Sequence, residues 1–166
     1  MASRILYILR KGHIDFYEAR DGTPVPASTA DAASVRQFNP LSPPSLTHTK
    51  VLAVEFCGRP LERRQANWNG LLNAAVREAK ARTKSTSELE QLIVIPFVEG
   101  PKTNEGYRFL SDAAISVQGQ DANGAWKAGC HIAQRLGLPL AVTFVWREKE
   151  GAAFPSVAGR LSIPAR

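Results

Sequence analysis

The chain of 166 residues has few of the residues that mark the commoner enzyme classes. It holds two cysteines, Cys57 and Cys130, and neither stands in a Cys-x-x-Cys pair. A disulfide framework and a cysteine zinc site are therefore unsupported, and two buried thiols of a reducing cytoplasm are the simpler reading. The three histidines, His13, His48 and His131, are scattered, and there is no His-Glu-x-x-His, no P-loop and no Gly-x-Ser-x-Gly elbow. Zinc peptidase, nucleoside triphosphatase and serine hydrolase chemistry thus lack sequence support. No apolar run approaches the length of a membrane span. The five apolar residues after Arg4 are stopped at once by Arg10 and Lys11, which reads as a strand rather than a signal peptide.

Positive charge is what the sequence does have. Lysine and arginine number 21 against 15 aspartates and glutamates, a formal charge of +6. An isoelectric point near 9.7 passes the level, about 9, at which a nucleic-acid footprint is worth seeking. Nucleic acid or nucleotide is the expected partner, and no membrane.

Four segments follow along the chain. Residues 1–38 read as a hairpin, with strands around Ile5 to Leu9 and Ile14 to Tyr17, a turn at Lys11-Gly12-His13, and a short helix capped by Ser28 or Thr29. Residues 39–50 carry Pro40, Pro43 and Pro44 and read as a joint, either an ordered loop or a linker. Residues 51–150 alternate apolar runs (51–56, 92–98, 113–117, 140–146) with amphipathic helices (62–82 and from Asp121 or Asn123 to Gly137). Residues 151–166 read as a loosely held tail. Alternation of buried strands and helices predicts an α/β fold with a mainly parallel sheet flanked by helices. A ligand would then sit beyond the carboxyl ends of the strands, at loops 57–64, 99–108, 118–124 and 147–151.

Those loops supply the candidate residues. Glu99 closes a strand, and Lys102 and Arg108 follow as cations for phosphate. Gly119, Asp121, Asn123 and Gly124 precede a helix N-terminus that favours an anion, although Asp121 and Asn123 are equally suited to capping that helix. Glu55 is a carboxylate inside an apolar strand and needs a partner, with Arg59, Arg63 or Arg64 in reach along the chain. Arg63, Arg64, Arg77, Lys80 and Lys84 form a basic series on the first long helix, which suits nucleic-acid backbone or complements the helix dipole.

Two resemblances attach to these motifs. Glu99-Gly100 after a strand, and Asp121-Ala122-Asn123-Gly124 before a helix, resemble the motifs of the Toprim domain of primases and topoisomerases. That resemblance implies Glu99 as an acid/base group and Asp121 as a ligand of Mg²⁺. It departs from the family at Gly119, where an aspartate is expected, and in the short spacing between motifs. The glycine turn, helix and Gly137-Leu138-Pro139 ending are similar to nucleoside deoxyribosyltransferases and other Rossmann-like nucleotide-binding domains. There the early helical glutamate is replaced by Lys127. The leading expectation is a nucleic-acid-associated protein with a degenerate metal or phosphate site, Glu99 and Glu55 being the catalytic candidates. A nucleotide-binding enzyme or sensor, and a protein-interaction module without ligand, are the alternatives.

Overall fold

A computed structural model describes residues 35–166 in full and, before them, the backbone of residues 5–10 and 13–18. Residues 1–32 and 33–166 form separate compact units. In the first, β1 (Ile5–Arg10) and β2 (His13–Glu18) make the expected antiparallel hairpin, with Ile5 opposite Glu18 and Arg10 opposite His13. The helix expected from Ser28 or Thr29 lies, up to residue 34, outside the described residues. Its expected end at Phe38 is not helical, because Arg36–Gln37 form strand β3.

The second unit is built on a five-stranded sheet in the order β3-β10-β9-β4-β5. Its further strands are β4 (Thr49–Phe56), β5 (Arg59–Pro60), β9 (Leu140–Trp146) and β10 (Ala158–Ile163). A second sheet, in the order β6-β8-β7, contains β6 (Phe97–Glu99), β7 (Tyr107–Leu110) and β8 (Ile115–Gln118). The helices are α1 (Trp68–Arg82), α2 (Thr86–Leu92) and α3 (Ala122–Leu136).

The predicted parallel sheet is not what forms. The β9 strand runs antiparallel to both β4 and β10, β5 runs antiparallel to β4, and the small sheet is antiparallel throughout. Only the short β3 pairs parallel, with β10. The reason lies between β4 and β9. The apolar runs between them go to a separate three-stranded sheet and to α2, so the alternation of runs and helices is not a series of crossovers within one sheet. Loops 57–64 and 118–124 therefore do not share one edge of a parallel sheet.

Alternation along β9 sets the core. Leu140, Val142, Phe144 and Trp146 are buried, and so are Val54 and Phe56 of β4 and Leu161 of β10. The two long helices pack against each other over this face. A Cβ on Gly129 of α3 would stand 2.5 Å from Leu71 Cδ2 of α1, so the glycine sets their close approach. On the opposite face, Arg160 donates to Thr143 Oγ1 at 3.0 Å and lies 3.4 Å from Glu55.

Two segments outside the central strands and helices are firmly held. The proline-rich stretch is a strap anchored by tryptophans. Trp126 Nε1 donates to the Pro40 carbonyl and Trp146 Nε1 to the Ser45 carbonyl, each at 2.9 Å, and Leu46 is fully buried. Buried indole N–H groups need such partners. The tail is not loose either, since β10 lies within the sheet and buries Leu161 and Ile163.

Only the last two residues of the run 92–98 are strand. Ser85-Thr86-Ser87-Glu88 starts α2, with Ser85 Oγ accepting from the Glu88 N–H at 3.2 Å and the Glu88 carboxylate accepting from the Lys84 N–H at 2.8 Å. This reciprocal arrangement is close to a capping box and carries the helix to Leu92. Pro96 then leaves only Phe97–Glu99 as strand. No helix among the described residues is long and apolar enough to cross a membrane.

Candidate functional site

Helix α1 begins where Asn67, extended at φ −149°, accepts from the Gly70 N–H at 2.9 Å and caps the first turn. Residues 62–67 fold back across that turn so closely that only glycine fits at position 70. A Cβ there would stand 1.8 Å from the Gln65 carbonyl oxygen. No acid occupies this first turn, so the positive end of the helix dipole is not offset from within the helix.

One flank of α1 carries Asn69, Asn73, Arg77 and Lys80 at helical spacing, and this flank meets the small sheet and its connections. Asn69 makes a two-way pair with the backbone of Gln120, donating to its carbonyl at 3.0 Å and accepting from its N–H at 2.9 Å. Arg77 Nε lies 2.7 Å from Asp112, and Lys80 Nζ lies 2.8 Å from Glu99. Asn73 alone in the series makes no side-chain hydrogen bond among the described residues; it is mostly buried, and its amide atoms reach solvent.

Asn73 instead lines two adjoining hollows, of about 230 and 520 Å³, which share Asn67, Asn73 and Arg108 in their walls. The smaller adds Arg64, Arg77 and Gly70. The larger adds Asn69, Tyr107, Val117, Gly106 and Gly119. Neither wall contains an aspartate or glutamate. Arg108 takes part in no ion pair among the described residues, while Arg64 is paired loosely with Glu62 on open surface. A larger hollow of about 670 Å³ beside Cys57 is different in kind, because Glu78 and Asp112 stand among its arginines. In that hollow, burial first and the nearby Glu78 second push the Cys57 thiol up, against the pull of Arg82 and Arg59.

The candidate acids are held apart by separate partners. Glu55 lies on the open sheet face with Arg160 rather than with Arg59, Arg63 or Arg64. Glu99 Oε1 accepts from Lys80 at 2.8 Å and from Thr86 at 3.3 Å, and the Lys80 hydrogen bond holds its carboxyl below the usual range. Asp121 is the N-cap of α3, accepting from the Gly124 N–H at 2.7 Å. Asn123 accepts from the Leu46 N–H at 2.9 Å and so ties the strap to the helix. Among the described residues no group of three or more His, Cys, Asp or Glu side chains is placed to hold a metal ion. With Glu99 and Asp121 engaged elsewhere, their donors do not fit a shared Mg²⁺ site, and no step is derived through one.

The cations divide as well. Lys102 pairs with Glu105 at 2.7 Å and sits 4.0 Å above the Tyr107 ring, and that carboxylate holds its ammonium above the ordinary lysine value. Lys84 lies beyond the end of α1, and Arg63 on the turn before it. Arg64, Arg77, Arg108 and Gly119 do come together, around three asparagines that composition and charge patterning passed over. The available signal was Asn69 and Asn73 four residues apart in an otherwise apolar helical stretch, where asparagine is a weak helix former.

No family model, curated protein or solved structure matches the chain or its fold. Neither the Toprim nor the deoxyribosyltransferase resemblance therefore gains support from known proteins.

Proposed function

We propose that this protein binds nucleic acid through its phosphates at the cleft between the start of α1 and the β7–β8 pair. The observation that carries this reading is the meeting of Arg64 and Arg108, with the Asp112-paired Arg77 alongside, at a helix start that carries no acid, in walls without a carboxylate. Guanidinium forks match phosphate oxygens in pairs, and the helix dipole adds to the same field. The charge of the chain agrees. Its first 34 residues hold four cations and four acids, so the whole +6 belongs to residues 35–166. No catalytic step is assigned to Glu55 or Glu99, each of which is engaged by a cation. Two reduced thiols suit a cytoplasmic setting for such a binder.

Fluorescence anisotropy with labelled DNA and RNA at rising salt tests this. The logarithm of the affinity should fall linearly with the logarithm of salt concentration. Arg108→Gln should weaken binding and reduce that slope by about one. Binding that ignores salt, or no binding to either polymer, counts against the proposal.

A further inference from the structure

We propose that the groove along α3 is a docking surface for an acidic amphipathic helix of a partner protein. The groove shares no lining residue with the phosphate cleft, and the proposal does not rest on that reading.

Exposed apolar side chains mark the place. Among the described residues the two most exposed large apolar side chains are Leu41, at 65%, and Val94, at 53%. Both line one hollow of about 630 Å³. Leu41 comes from the strap and Val94 from the residues after α2, so only the fold brings them to one recess. Single apolar residues on a surface are ordinary, whereas apolar residues gathered round a recess mark contact with another molecule.

The walls are built in advance. The strap is fixed where Trp126 Nε1 donates to the Pro40 carbonyl, and the Leu41 N–H donates to Asn39 Oδ1 at 2.9 Å in a local turn. On the other side His131 Nε2 of α3 lies 3.4 Å from the Gln91 carbonyl of α2. Trp126 and Cys130, both buried, supply the apolar floor. A groove with fixed walls loses little freedom on binding.

The recess is elongated. A second hollow, of about 180 Å³, shares Pro40, Leu41 and Gln134 with the first and reaches Gly137. From Asn123 to Gly137 the two follow α3 for about 20 Å, or roughly four helical turns. That length suits a helix laid in a groove by its apolar stripe better than a compact small molecule.

Charge selects the kind of helix. No aspartate or glutamate lines either hollow, whereas Lys127, His131 and Arg166 do. Arg135 continues the row, because 127, 131 and 135 are successive four-residue steps on α3. Lys127, Arg135 and Arg166 take part in no ion pair among the described residues. Carboxylates flanking an apolar stripe complement these cations. Phosphates would meet the cations but gain nothing from Leu41 and Val94.

The probe is a labelled peptide of about 18 residues, with leucines at helical spacing and glutamates on the flanks. One control carries lysines in place of the glutamates, and another has the same residues in scrambled order. In fluorescence anisotropy with the full chain, the glutamate helix should bind about tenfold or more tightly than either control. Leu41→Ser and Val94→Ser, both at exposed positions, should each weaken it about fivefold to tenfold. Lys127→Glu with Arg135→Glu should turn the preference to the lysine helix. Nucleic-acid affinity and its salt slope should be unchanged in Leu41→Ser, so failure of this surface and failure of the phosphate cleft are read separately. Equal binding of the glutamate and lysine helices, no binding of the glutamate helix at about 1 mM, or unchanged binding in both serine variants with native circular dichroism overturns the proposal. Nucleic-acid affinity that drops in Leu41→Ser overturns it in favour of nucleic acid. A dimer in sedimentation that Leu41→Ser dissolves overturns it in favour of a second copy of this chain.

Discussion

Lys80 and Glu99 show how a single pair decides what a carboxylate is available for. Glu99 ends a strand in a loop rich in polar residues, the setting of an acid/base group, yet its oxygen is occupied by the Lys80 ammonium and the Thr86 hydroxyl. The pair holds the Glu99 carboxyl below its ordinary value, chiefly through the Lys80 hydrogen bond. A group depressed in the folded state adds stability above its unfolded pKa and loses it as pH falls through the folded one. Lys80→Met should therefore raise the Glu99 pKa towards the usual carboxylate range, which a side-chain NMR titration reads directly. Glu99 unmoved by that substitution would mean the ion pair is not what holds it. Local sequence cannot reveal such a pair, because Lys80 and Glu99 meet only after α2 has turned the chain back beside α1.

At the scale of elements, what was legible followed a local rule. The helix from Asp121 to Gly137 carries its stop and start in adjacent residues: an aspartate cap, a glycine at φ 67° and a proline two residues beyond. Replacing Asp121 by Asn should leave stability nearly unchanged, whereas Asp121→Ala should cost about 1 kcal/mol in chemical denaturation. If Asn and Ala cost the same, the side chain is not acting as a cap. The β9 strand was equally plain, because its short apolar run from Leu140 to Trp146 directly follows the stop at Gly137 and Pro139. The run from Leu92 to Val98 misled because an apolar stretch has no period to separate strand from the end of a helix. Its deciding signal, Ser85 with Glu88, lies upstream of the run itself. The Asn67–Asn73 site was hidden for a related reason: cations were visible as a charge pattern, whereas a neutral amide declares itself only when burial and missing partners are known.

For the whole molecule, strand direction was the large departure, and it moved the site. With a parallel sheet, loops 99–108 and 118–124 would have converged at one edge with loop 57–64. The antiparallel arrangement instead brings the Tyr107–Arg108 strand beside the start of α1. It also makes the C-terminal residues structural. Leu161→Ala, in a strand that a loosely held tail would not contain, should cost about 2–5 kcal/mol in chemical denaturation, since the side chain is fully buried and its strand lies between β9 and β3 in the sheet. A cost near zero would mean that β10 does not belong to the cooperative unit. The indole bonds from Trp126 and Trp146 to the strap give the molecule an optical reporter. Both rings are buried, so release of the proline-rich strap would wet them and move their emission to longer wavelength.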